Sequence, residues 1–201
     1  MAKRFADLIF STLGLIVTFP LFLVIALAIK TDSKGTVFFK HKRVGQHGVL
    51  FLMYKFRTMV KNAASIGPAV TYHEDARITK VGHLLRQTKL DELPNLINVW
   101  KGEMSFVGPR PEAANYVEHY TQEQQQVLTA KPGITGPAQI EWRNEASRLH
   151  NLQNIDKFYI QHIMPQKLAL DLKYVHAPPS VLRDLRYMFL TFKAILAKGC
   201  Q

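Results

Sequence analysis

The residues best suited to chemistry are an adjacent acid pair, Asp91-Glu92, followed by Leu93 and Pro94. Proline is accommodated in the first turn of a helix, where amide donors are unpaired in any case, so the pattern predicts a helix starting near Asp91. The free amides and dipole at such a start favour a phosphate group close by. Taken alone, the pair has a plain structural role, with Asp91 as N-cap and Glu92 complementing the dipole. Its surroundings add cations from separate parts of the chain. Lys55 and Arg57 end a strand-like run, Arg77 sits between Asp75 and Thr79, and Arg86 lies one to two helical turns before Asp91. Arg110 is held in a rigid Gly108-Pro109-Arg110-Pro111 turn, and Arg143 follows a Pro/Gly loop. Arginine offers a fixed fork of donors that matches phosphate oxygens. Singly, each is a surface cation or a structural ion pair. Around an acid pair, they point to a phosphorylated substrate.

Other chemistries are excluded by what is missing. There is no Walker or Rossmann glycine motif, no Gly-x-Ser-x-Gly elbow, no His-Glu-x-x-His pattern and no Asp-x-Asp. The single cysteine, Cys200, rules out an intramolecular disulfide and a cysteine-based zinc site. The net charge of +11 is above the usual range for a small domain and implies an anionic partner: nucleic acid, acidic lipid headgroups or a phosphorylated substrate. With 47% apolar residues in 201, the chain can bury a sizeable core.

The elements that must position these residues begin with residues 8–29, 22 residues without a charge. As a helix they reach about 33 Å, enough to cross a bilayer core, and they lack the polar face of a soluble helix. Basic residues flank both ends: Lys3 and Arg4 before, Lys30, Lys34, Lys40, Lys42 and Arg43 after. Pro20 in the middle predicts a kink. Two topologies follow: a hairpin-like helix that enters and leaves on one face, or a tilted, kinked span. Further on, residues 37–41 and 49–56 read as a β-hairpin. Residues 61–80 read as loop, with Gly67-Pro68 as a breaker. Helical patterns cover 80–88, 92–101, 111–128, 145–163 and 181–196. The last has apolar positions at clean helical spacing, which suits either a helix covering the core or one lying in a membrane interface.

These motifs carry a resemblance. Residues 55–59 (KFRTM), 77–79 (RIT), 90–94 (LDELP), 98–102 (NVWKG), 104–112 (MSFVGPRPE), 131–136 (KPGITG) and Arg143-Asn144 are similar, in order, to the monotopic polyprenol-phosphate phosphoglycosyl transferases, the bacterial sugar transferase family. The match runs from Lys3 to about residue 144 and is that of the small single-domain type. It implies a helix-rich α+β fold. A re-entrant membrane helix broken at Pro20 (residues 1–33) would be joined to a compact cytoplasmic catalytic domain (residues 34–201) with a small β-hairpin and interfacial amphipathic helices. It tips the topology towards re-entry, on the cytoplasmic face of a bacterial inner membrane. It further implies transfer of a sugar-1-phosphate from a UDP-sugar to polyprenyl (undecaprenyl) phosphate, initiating synthesis of a membrane glycoconjugate such as O-antigen, capsule, exopolysaccharide or glycoprotein glycan. Asp91 would form a covalent phosphosugar with release of UMP, and Glu92 would assist. Mg²⁺, held in part by Asp91, would neutralise the diphosphate. Lys55, Arg57, Arg77, Arg86, Arg110 and Arg143 would bind substrate.

The sequence departs from the family pattern at Phe19 and Lys89, each where serine is common, at Asn95 in place of glutamine, and at Glu141-Trp142 in place of Asn-Gly. Two other classes compete. A membrane-anchored basic module binding acidic lipid or a phosphorylated partner explains the charge but not the ordered acid pair. A nucleic-acid-binding domain lacks a motif and conflicts with membrane insertion, so no nucleic acid partner is expected. The sugar and the oligomeric state are not legible.

Overall fold

The computed structural model describes residues 2–67, 71, 75–145 and 154–198. It is helix-rich α+β, with a long N-terminal helix and two small two-stranded sheets. Helix α1 (Ala2–Asp32) is helical throughout, Pro20 included. The interruption expected at Pro20 is therefore absent from the backbone. Proline removes one ladder bond, and packing on both sides of it keeps the helix in line. Before it, Gly14 lies against Leu96, where a Cβ would come within 3.2 Å of the leucine side chain. After it, Ile25 and Ile29 are buried with Phe56 and Leu85, and Phe22 packs on the same cluster. The Thr18 hydroxyl donates to the Gly14 carbonyl at 2.6 Å, not to the Ile16 carbonyl that proline leaves free.

Both ends of α1 are tied to the same body. At the start, Lys3 donates to Val107 O (2.8 Å), and Arg4 donates to Val99 O and Trp100 O. Asp7 accepts from the Phe106 amide and the Ser105 hydroxyl. At the end, the Asp32 carboxylate accepts from the Val81 amide, and Arg57 donates to the carbonyls of Ser33 (2.8 Å) and Lys34 (2.5 Å). The helix thus lies along the domain. Its opposite face, with Phe5, Ile16, Val17, Phe19, Val24 and Leu27, is exposed.

Strands β1 (Phe38–Val44) and β2 (Leu50–Phe56) form the antiparallel hairpin, with Phe38 opposite Phe56 and Phe39 opposite Lys55. The first strand runs past residue 41 because Lys40, His41, Lys42 and Arg43 alternate sides and pair in register across the ladder. One helical turn, α2 (Ala63–Ile66), and a bridge between Met59 and Ile78 order the segment read as loop, while the breaker residue Pro68 lies outside the described residues. Helix α3 (Lys80–Gln87) is capped by Thr79, whose hydroxyl accepts from the Gly82 amide. A 3₁₀ turn (Leu90–Glu92) leads into α4 (Asn95–Lys101), which Gly102 ends in the left-handed region at φ 85°. Asn98 locks α4 to the hairpin: its side chain accepts from the Tyr54 amide and donates to Leu52 O.

Strand β3 (Ser105–Val107) pairs in parallel with β4 (Gly133–Thr135). The loops leaving these strands touch backbone to backbone. A Cβ on Gly108 would sit 2.3 Å from Lys131 O, and one on Gly133 would sit 2.1 Å from the Gly108 nitrogen. That contact explains the glycines of both motifs. The helix expected over 111–128 is not formed. A single turn, α5 (Ala114–Val117), is followed by a 3₁₀ segment (Gln124–Thr129). The reason is a local restart: the Thr121 hydroxyl accepts from the Gln124 amide, and the Gln124 side chain accepts from the Thr121 amide, a reciprocal cap that ends one turn and opens the next.

After α6 (Pro137–Glu141), the expected helix over 145–163 falls partly on residues 146–153, outside those described. From α7 (Ile155–Phe158) the chain continues through a π turn (Tyr159–Ile163) into α8 (Met164–His176), a helix the sequence pattern did not reveal. Pro165 lacks the amide that would close the ladder, and the wide turn before it absorbs the mismatch. Tyr159, Ile163, Met164, Leu168 and Leu172 fill the largest core with Tyr116, Tyr120, Val127 and Trp142. Helix α9 (Val181–Lys198) turns Asp184 inward, where it accepts from Lys3 (2.6 Å) and Tyr174 (2.7 Å). Leu182, Leu185, Phe189 and Phe192 face outward. Of the two readings of this helix, a cover for the core does not hold for that face.

Candidate active site

Asp91 sits in the middle of the 3₁₀ turn. The turn opens from Lys89, which adopts a left-handed conformation (φ 59°) that costs a non-glycine residue roughly 1–2 kcal/mol. Such strain before an acid pair fixes where the pair points. Asp91 does not cap a helix: Pro94 precedes α4, and no side chain caps it. Asp91 is only 8% exposed, and its Oδ1 is buried without a hydrogen-bond partner. A buried carboxylate oxygen left unmatched in a fold that satisfies most of its polar atoms requires a functional explanation.

Glu92 is matched twice over. Lys55 Nζ lies 2.6 Å from its Oε1, and Arg110 Nη2 lies 3.6 Å from the same oxygen. The hairpin supplies the lysine from the end of β2, and the loop after β3 supplies the arginine. Arg86 completes the ring from α3, where its Nε donates to the buried Thr58 hydroxyl at 2.9 Å. The two acids therefore differ. Burial pushes the Asp91 carboxyl up, and the Glu92 charge beside it adds to this against the pull of Lys55, Lys89 and Arg86. Burial opposes ionisation of Glu92 as well, but Lys55 and Arg110 outweigh it and hold that carboxyl well below the ordinary range. Burial pulls the Lys55 ammonium down, partly offset by Glu92. Adjacent groups pushed apart in this way are not equivalent: Glu92 is held as a fixed anion, while the charged form of Asp91 is disfavoured.

Of the residues singled out from sequence, the structure brings together Asp91, Glu92, Lys55, Arg86 and Arg110. It places three arginines elsewhere. Arg57 is buried and caps the carbonyls at the end of α1. Arg77 is clamped on Asp75 at 2.6 Å and donates to Ala63 O. Arg143 is exposed and donates to Ala194 O on α9. The first two are structural ties, and none of the three joins the ion pairs around Asp91 and Glu92.

Sequence reasoning missed several supports. Asp171 on α8, buried, accepts from the backbone amide of Arg110 (3.2 Å) and that of Ala138 (3.4 Å). Burial pushes its carboxyl up to about 7, against the two amides. Beside Arg110, Glu112 accepts from the Tyr159 hydroxyl (2.5 Å) and pairs with Lys167 (3.5 Å) and Arg43 (3.6 Å). Glu112 lies in the matched motif, but Tyr159, Lys167 and Asp171 follow the point where the resemblance fades, and no spacing marks them. Among the described residues no group of three or more His, Cys, Asp or Glu forms a metal cage. A single free carboxylate oxygen still fits magnesium, which commonly combines one or two carboxylates with waters and substrate phosphates. Asp91 is the residue that would supply it.

Comparison with known proteins gives the family. The family model for bacterial sugar transferases matches residues 1–198. A UDP-glucose:undecaprenyl-phosphate glucose-1-phosphate transferase of Klebsiella pneumoniae is 42% identical over 98% of this chain and 41% of its own. The enzyme with the same name from Escherichia coli is 40% identical over 87% of this chain and 39% of its own. This chain thus spans about two fifths of the length of those two relatives. An exopolysaccharide production protein, ExoY, of Sinorhizobium fredii is 34% identical over 99% of this chain and 88% of its own. An acid pair ringed by cations, on a fold matched from end to end, leads to one assignment: the chain belongs to the bacterial sugar transferase family.

Proposed function

We propose that the protein transfers a sugar-1-phosphate from a UDP-sugar to polyprenyl phosphate at a membrane surface, through a covalent intermediate on Asp91. The observation that carries this is the contrast within the acid pair: Glu92 is neutralised by Lys55 and Arg110, while Asp91 is buried and unpartnered beside the same cations. An Asp91 oxygen would bond to the sugar-bearing phosphorus as the phosphorus–oxygen bond to UMP breaks, its electron pair leaving with UMP. A phosphate oxygen of the polyprenyl acceptor then bonds to that phosphorus, and the Asp91 carboxylate is released. Arg86, Arg110 and Lys55 offset the repulsion between carboxylate and diphosphate. Mg²⁺, held in part by Asp91, would supply further charge neutralisation. Glu92 keeps Lys55 and Arg110 oriented towards the phosphates.

The packing of α1 supports a monotopic arrangement, with the unbroken helix held along one face of the domain. Lys3 and Arg4 at one end and Asp32 at the other bind the same body, so a helix crossing to the far side of a bilayer would have to leave one set of contacts. With α1 and α9 both presenting apolar faces outward, the site would be held against the lipid surface where the acceptor phosphate lies, on the cytoplasmic side. The test is intact mass. Incubation with UDP-sugar and Mg²⁺, without lipid acceptor, should add one phosphosugar and release UMP, and Asp91→Asn should abolish the adduct. No adduct from any of several UDP-sugars would support the anchored, non-catalytic module instead.

A further inference from the structure

Phe38 and Phe39 are consecutive on β1, so they point to opposite faces of the hairpin. Phe38 faces α1: its ring stacks on Phe56 at 5.5 Å and lies 6.4 Å from Phe22. Phe39 is on the other face. It is paired directly across the ladder with Lys55 and is 48% exposed. His41, two residues on along the same face, has its ring 5.6 Å from that of Phe39. Burial, with Arg43 and Lys55 adding to it, pushes the His41 imidazole down to about 4, so this ring is neutral near pH 7. Two neutral aromatic rings therefore stand beside the ammonium that clamps Glu92, and Phe39 is about half exposed.

We infer that Phe39 and His41 form the stacking platform for the nucleobase of the nucleotide donor. A cluster of cations recognises phosphate but says nothing about what the phosphate carries. Exposed rings next to such a cluster suit a ligand that is anionic at one end and flat and aromatic at the other, which describes a nucleoside diphosphate. Stacking on an aromatic side chain contributes to base binding without reading the base edge. The inference rests on the reading of the donor as a UDP-sugar, and it adds where the uracil lies.

The test uses the full chain in phosphatidylethanolamine–phosphatidylglycerol nanodiscs and compares binding of UMP with that of ribose 5-phosphate, which lacks the base. The wild type should prefer UMP by about tenfold or more. Phe39→Ala should lose most of that preference, Phe39→Trp should keep it, and ribose 5-phosphate should bind all three alike. Unchanged UMP affinity in Phe39→Ala overturns the inference, as does an equal loss for ribose 5-phosphate. Weaker partitioning of Phe39→Ala into vesicles of the same lipids, with UMP affinity intact, also overturns it and assigns the ring to lipid. A wild type that prefers UMP yet forms no phosphosugar adduct supports the platform and removes the transfer reaction. A wild type that forms the adduct beside an unaffected Phe39→Ala removes only the platform.

Discussion

Replacing Asp91 with asparagine should make the protein more stable while stopping its chemistry. The site disfavours the charged form of the wild-type side chain, as the upward push on its carboxyl records. The amide removes the charge but keeps the size, so it relieves the burial cost and the repulsion from Glu92. It gives up the attraction to Lys55, Lys89 and Arg86, and Oδ1 stays without a donor. The balance favours the variant, and each 1 kcal/mol of it raises the thermal midpoint by roughly 2–4 °C for a chain of this size. The sign has a pH signature. A carboxyl whose folded pKa lies above its unfolded one weakens the fold as pH rises out of the ordinary carboxylate range, so the gap should open with rising pH and close in acid. Intrinsic fluorescence of Trp100 and Trp142 during a thermal ramp, on protein confirmed unmodified by mass, reads the midpoints. A less stable Asp91→Asn at pH 7, or a gap that ignores pH, would refute the claim that this oxygen is held in a costly state.

Three further outcomes follow from the same structure. Arg57→Ala leaves the Ser33 and Lys34 carbonyls just past α1 bare and should lower the midpoint by roughly 5–10 °C without changing UMP affinity, since that guanidinium holds the segment after the helix rather than phosphate. Lys89→Gly relieves left-handed strain of about 1–2 kcal/mol and costs about 0.5–1 kcal/mol in chain entropy, so its midpoint should stay level or rise slightly; a fall of several degrees contradicts this. Asp171 keeps a proton in the fold up to about pH 7 that the unfolded chain has lost by its ordinary 3.8, so it reduces stability as pH climbs through that window and not above it. Asp171→Asn should flatten that slope in chemical denaturation and, with one acceptor left for two amides, weaken UMP binding at the Arg110 loop.

The sequence showed which residues gather at the candidate site better than it showed their scaffolding. Asp91-Glu92 and Arg110 were recognisable because their motifs constrain the backbone: Pro94 after the pair, and the Gly108-Pro109-Arg110-Pro111 turn. The hairpin and α3 were visible in alternation and in the Thr79 cap. Less legible was how each arginine would be used. Arg57 and Arg86 look alike in a list of cations, yet one caps a helix end and the other stands at the site, and only tertiary contacts distinguish them. The broken helix over 111–128 shows how a two-residue reciprocal cap overrides a long helical pattern. Helix α8 was hidden because Pro165 reads as a stop unless a π turn precedes it. In α9 the apolar stripe was correctly spaced, but Asp184 took the inward side because Lys3 and Tyr174 were waiting for it.

The way α1 is fastened has a consequence for how the protein can be handled. Its packing through Gly14 on Leu96 and through Ile29 on Phe56 and Leu85 makes it a wall of the fold as much as an anchor, so exchanging it for an unrelated hydrophobic leader would strip the packing from α3 and α4. A soluble version obtained by trimming the first 32 residues would forfeit the Asp32 acceptor for the Val81 amide and the Ile29 carbonyl that Arg57 reaches at 3.5 Å. Depth of the Asp91 carboxylate relative to that greasy ridge is likewise set by packing, leaving no slack tether through which the domain could drift.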